Sequence, residues 1–350
     1  MSNKAVSNFA RCVSVPVTLP ARLLKAGAIV CLALSTSIFA APASADNEIC
    51  LACHSGDAKG SGGKSIEVDA KTFAKSVHGE TGLECTSCHS DVSPSKLPHG
   101  EKLAPVDCAT CHAQQVKEYA ETAHGKARKT GNAVAATCND CHGHHDIRRS
   151  TDAASRTNHA NLEATCSKCH GNESLVKTAK LPGGNIGSQF HDSIHGKLLA
   201  GSRTADAPTC TNCHGAHSIR APEEAASRVN RSHIPETCGS CHQAIYARFS
   251  KGQHGKLRSE GNAGAPVCID CHTAHQIQRH DLAAFQTGVI DRCGNCHGEN
   301  LSTYRDTFHG QVTKLGYASV ATCASCHSAH DMLPASDPAS TISAENRIET

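Results

Sequence analysis

Tryptophan is absent from this 350-residue chain, and aromatic residues together make up 3% of it. Methionine occurs only at Met1 and Met332. A chain of this length would ordinarily bury a sizeable apolar core. With so few large side chains, the core has to come from something other than side chains. Neither a basic stripe nor an aromatic platform is present, so nucleic-acid binding has no support. Beyond residue 45 no stretch approaches 18 apolar residues, so no stable membrane insertion of the mature chain is expected. The first 45 residues differ. Lys4, Arg11, Arg22 and Lys25 form a basic region without an acid, Ala26–Ala40 is a short apolar run, and Ala43-Ser44-Ala45 offers a cleavage site. This is the pattern of a secretory signal, removed after Ala45 to leave 305 residues in the periplasm. Without the leader's four bases the 34 Lys and Arg become 30, against 32 acids.

What the chain has instead is 22 cysteines and 25 histidines. Twenty of the cysteines fall into one unit, Cys-x-x-Cys-His, repeated ten times. The units are Cys50, Cys53 and His54; Cys85, Cys88 and His89; Cys108, Cys111 and His112; Cys138, Cys141 and His142; and Cys166, Cys169 and His170. They continue with Cys210, Cys213 and His214; Cys238, Cys241 and His242; Cys268, Cys271 and His272; Cys293, Cys296 and His297; and Cys323, Cys326 and His327. This is the attachment motif of haem c: two thiols form thioethers with the porphyrin vinyl groups, and the adjacent histidine reaches the iron from one face. Zinc ribbons pair two Cys-x-x-Cys knuckles without requiring a following histidine, and ferredoxin runs are spaced more closely. A disulfide framework would not need this spacing. The two cysteines left over, Cys12 and Cys31, lie in the leader, and the bulky Val30 makes Cys31 a poor lipidation site.

A second set of histidines supplies candidates for the sixth iron ligand. Five occur as His-Gly five residues after an aromatic: Phe73 before His78, Tyr119 before His124, Phe190 before His195, Phe249 before His254 and Tyr304 before His309. Each reads as the end of a short helix capped by glycine, with the aromatic packed on a porphyrin face. Four more, His145, His217, His275 and His330, stand three residues after a motif histidine, followed by Ile147, Ile219, Ile277 or Met332. Met332 therefore occupies a packing position and leaves no methionine ligand. His99, in Leu97-Pro98-His99-Gly100, fits neither pattern but fills the one empty slot. Ten motif histidines then alternate with ten candidates. A histidine three residues from its own motif cannot span its own porphyrin and is expected to cap a neighbouring haem. His144, His159, His191, His233 and His280 remain uncommitted.

The runs CHGAHSI, SIHGK, IPETCGSCH and LPHGEKLAPVDCATCH resemble the periplasmic multihaem cytochromes c of anaerobic respiratory bacteria, in the style of the cytochrome c3 and c7 group. The resemblance covers about residues 50–331. It implies an electron carrier between a membrane quinol-oxidising cytochrome b complex and a terminal reductase or outer-membrane conduit. The residues themselves predict a mostly α fold with extensive loops, short helices and little or no sheet, packed around ten covalent haems. The apo chain should not fold, because cofactor contacts replace hydrophobic packing. Residues 46–331 form the decahaem domain in repeated two-haem units. Two lobes could divide near 171–189, where Gly171–Gln189 reads as an inserted surface loop. Residues 332–350 read as a flexible tail.

Three functions follow from this inventory. Two imidazoles per iron make an electron wire of low potential with no place for substrate. A reductase of a small nitrogen or sulfur oxyanion would need an open iron, and His99 is where that reading could survive. A haem filament would use a surplus histidine, such as His159 or His233, to ligate the next subunit.

Overall fold

Short helices dominate, and the reason lies in the motif. Cysteines at i and i+3 with histidine at i+4 share one face only if the unit is a single helical turn. Cys138–His142, Cys210–His214, Cys268–His272 and Cys323–His327 are such turns. Three are closed by reciprocal capping between the residue before the first cysteine and the residue before the second. In one, the Asp140 carboxylate accepts from the Thr137 backbone N–H at 2.6 Å and hydroxyl at 2.7 Å. Asn212 does the same for Thr209, at 2.8 and 2.9 Å. Ser325 accepts from the Thr322 N–H at 3.0 Å. The longest helices, Ala109–Ala120 and Ala283–Gly294, reach 12 residues.

The structure is a computed structural model describing residues 45–201 and 204–348. The expected secretory signal, residues 1–45, lies outside the described residues except for Ala45. Among these residues there is no strand, only an isolated bridge between Lys59 and Ser65. The expected mostly α, loop-rich architecture is the one observed. No described helix is long and apolar enough to cross a membrane. Buried apolar side chains are few: Leu199, Ala207, Ile234, Ala265, Val267, Phe285 and Ile290. Seven such residues cannot stabilise a chain of this length by hydrophobic burial alone.

Two expectations change. The segment 171–189 contains helix Glu173–Thr178 and the start of helix Ile186–Asp192, and Gly187 lies directly against Ser167 and Gly171. Its two ends are packed helix, while residues 179–185 between them form the exposed loop, and the described residues are not divided there into lobes. The tail also folds back. Ser340 and Ser343 are buried, and the Asn346 amide donates to the carbonyls of Pro338 and Ser340 at 2.9 and 3.0 Å. This is the turn used at Ser155 and Asn161, so its residues continue the repeat.

The His-Gly segments differ most from expectation. Each histidine lies near the start of a helix and not at its end: Val77–Glu80, Ala123–Lys129, Ile194–Ala200, Gln253–Ser259 and Phe308–Lys314. Glycine is the third helical residue and caps nothing. In four of the five, a Ser or Thr two residues before the histidine accepts from the glycine N–H: Ser76, Thr122, Ser193 and Thr307, at 2.9–3.1 Å. Glycine is needed because the preceding helix ends against it. A Cβ there would sit 2.0–2.2 Å from the carbonyl oxygen of Phe73, Tyr119, Phe190, Phe249 or Tyr304. The aromatic register thus marks a tight helix–helix corner that fixes where the histidine points.

Candidate haem sites

These corners and turns bring the histidines together in pairs. His54 faces His99 with ring centroids 5.8 Å apart and planes parallel. Four His-Gly histidines face motif histidines: His78 with His112 at 6.1 Å, and His124 with His170, His195 with His242 and His254 with His297 at 6.2 Å. The other four pairs are His89 with His145 at 6.3 Å, His142 with His217 at 5.9 Å, and His214 with His275 and His272 with His330 at 6.0 Å.

A metal between two imidazole nitrogens at ~2.0 Å each, with the ring centres another ~1.1 Å behind, gives a centroid separation of about 6.2 Å. Nine pairs lie within a half-ångström band around that value. No group of three or more metal-binding side chains occurs among the described residues. Two opposed nitrogens and nothing more is what an iron requires when a porphyrin supplies four equatorial ligands. The residues present therefore fit haem.

The pairing follows one rule. Four of the five His-Gly histidines face the second motif downstream of them, and each histidine three residues after a motif histidine faces an earlier motif and never its own. A backbone bond enforces this between repeats. The N–H groups of Val77, Ala123 and Ile194 donate to the carbonyls of Ile147, Ile219 and Ile277 at 2.8 Å, and Gln253 donates to Met332 at 2.7 Å. The Ile or Met two residues after the ligand thus serves through its carbonyl. Left-handed turns at Gly143, Gly215, Thr273 and Ser328 steer the chain away from the motif just completed.

Protonation also suits ligation. Burial pushes His214 and His272 down to about 4, and lowers His124, His142, His145, His195 and His254 in the same direction. A neutral imidazole keeps a lone pair for metal. The tautomer is set where Nδ1 meets a carbonyl, as in His54 with Ile66 at 3.0 Å and His99 with Gly100 at 2.8 Å, leaving Nε2 free. His159 is the opposite case: its Nε2 lies on the carbonyls of Thr204 and Ala207 at 3.1 and 2.9 Å. His233 holds the Ser227 carbonyl at 2.9 Å. His159 is tied into its own chain through the nitrogen a metal would need, whereas His233 bonds through Nδ1 and keeps Nε2 free. His99, opposite His54, is not the place for an open iron.

The cysteines stand as thiols here; in a haem-loaded chain each sulfur would be a thioether. Their positions order the sites. First cysteines lie close together in successive pairs: Cys50 with Cys85, Cys108 with Cys138, Cys166 with Cys210, Cys238 with Cys268 and Cys293 with Cys323. Between these pairs the second cysteine of one motif lies close to the next motif: Cys88 near Cys108 and Cys111, Cys141 near Cys169, Cys213 near Cys241, and Cys271 near Cys296. Order in space is therefore order in sequence.

Two aromatic roles emerge that the sequence did not suggest. The Tyr119 hydroxyl donates to Ala136 O at 2.6 Å and Tyr304 to Ala321 O at 2.9 Å, pinning the approach to the next motif. Phe285, buried and outside every repeat pattern, stacks on His272 at 5.2 Å, and the Arg292 guanidinium lies over the Phe285 ring at 5.7 Å. No protein-family profile matches the chain, and no curated protein matches it.

Proposed function

We propose that this chain is a ten-haem c-type cytochrome of the periplasm, and that its role is electron relay. The observation that carries this reading is the set of nine opposed histidine pairs, each joining a Cys-x-x-Cys-His motif to a second histidine at 5.8–6.3 Å. Bound haem would supply one-electron chemistry at each site. The chain's own residues then do three things. Cysteines tether, so no haem is lost. Paired histidines would hold each of nine haem irons from both sides, which would leave no place there for substrate and, in the absence of a methionine ligand, would favour low potential. The alternating cysteine contacts line the sites up in one row, so that an electron entering at one end has a neighbour at every position. Donor and acceptor proteins of the kind the resemblance implies, a quinol-oxidising cytochrome b complex and a terminal reductase or outer-membrane conduit, would meet this row at exposed sites.

Intact-mass measurement of the exported protein tests the reading directly. Ten haem additions to a chain beginning at Asp46 are expected. A mass without haem, or zinc in its place, would end it.

A further inference from the structure

The pairing rule leaves two histidines over. His327 carries the tenth motif, and His309 is the fifth His-Gly histidine, yet neither faces another imidazole among the described residues. Three further observations mark the same edge. Among the described residues the Phe308 N–H finds no carbonyl, whereas its counterparts Val77, Ala123, Ile194 and Gln253 all do. His309 is exposed where His78, His124, His195 and His254 are half-buried. Phe308, Leu315 and Tyr317 are 73%, 77% and 65% exposed.

Two nearby-sequence candidates are occupied: His330 is spent on His272, and the Nε2 of His159 lies on carbonyls. The folded tail, which donates from Thr341 to the Cys326 carbonyl, brings no histidine. His309 is not a substitute, because the Tyr304 and Phe308 helices meet in the same corner as Phe249 and Gln253, and His254 at that corner faces His297 and not His272.

We propose, resting on the haem reading above, that the iron held by His327 has its distal position open, and that this position binds a small exogenous ligand: a π-acceptor diatomic on ferrous iron, a small anion on ferric iron. The chain thus holds nine saturated irons and one able to take a ligand, placed at one end of the row.

The test uses the full, haem-loaded protein. Haem is quantified first, since fewer than ten haems overturns the underlying reading and not this inference. The reduced protein is then titrated with carbon monoxide, and the oxidised protein is examined by EPR. The expected results are one carbon monoxide per ten haems and a high-spin signal near one haem in ten. His309→Ala should change neither. Ten low-spin haems and no carbon monoxide uptake would overturn the proposal, and a high-spin signal appearing only in His309→Ala would identify His309 as the ligand instead. Cys323→Ala with Cys326→Ala locates the site: carbon monoxide binding disappears while nine haems stay low-spin. Binding that persists in that variant overturns the assignment to His327. Should the variant fail to accumulate, the His309→Ala and wild-type stoichiometries still decide.

Discussion

Adjacent residues in this chain have separate fates, and His144 and His145 illustrate it. Both follow the motif ending at His142, but only His145 faces another imidazole, that of His89. The His144 backbone N–H instead donates to Asp146 at 3.0 Å. His145→Ala should turn one haem high-spin in EPR, and His144→Ala should leave all axial pairs intact. Thr273 offers a second residue-scale test. Its φ of 65° is left-handed, and its buried hydroxyl has no partner. The same position is glycine at Gly143 and Gly215. A β-branched residue in this region costs ~1–2 kcal/mol, and glycine's greater unfolded freedom returns part of that. Thr273→Gly is expected to stabilise by about 1 kcal/mol, seen as a melting point a few degrees higher.

The helix corner is the element that converts a sequence pattern into ligand geometry. Gly196→Ala would drive a methyl into the Phe190 carbonyl at 2.2 Å and displace His195 from His242. Loss of one low-spin haem is the expected readout. Gly288→Ala serves as control: it sits in helix Ala283–Gly294 with nothing within 4 Å, and should stabilise by ~0.5–1 kcal/mol. Corners and repeats are also tied by ion pairs, such as Arg248 with Asp331 at 3.0 Å. Arg248, then Ser328, holds the Asp331 carboxyl well below its ordinary range. A depressed carboxyl contributes stability above its unfolded value and loses it as pH falls. Arg248→Gln should therefore lower stability only slightly at pH 7, since both partners are about half exposed, and that difference should shrink in denaturation curves below about pH 4.

Much of the site was legible because the attachment motif is contiguous and its chemistry local. Ten motif histidines and ten candidate partners could be named from spacing. Which faces which could not, since partners stand from 34 residues apart (His78 and His112) to 75 (His142 and His217), and only the fold closes such loops. Nor could the glycine be placed correctly from its position after histidine. The Ser or Thr two residues before the histidine was the signal for a helix beginning there. Phe285 was invisible because it belongs to no repeat.

At the scale of the whole molecule, position along the chain is position along the row of sites. Removing one motif in the middle, by Cys166→Ala with Cys169→Ala, should break the row into two stretches that still take up haem but equilibrate slowly. Rapid-mixing reduction kinetics would then show two phases where the intact protein shows one.

The links between repeats also run in one direction. His89 is faced by His145, His142 by His217, His214 by His275 and His272 by His330, always by a residue that lies later in the chain. A polypeptide that crosses a membrane from its N-terminus delivers the early motifs first. In a chain exported from its N-terminus, with haem attached as each motif emerges, each of these four sites would be filled before its second histidine has arrived. Assembly of this protein would pass through a moving five-coordinate front, sealed one repeat at a time by the segment that emerges next.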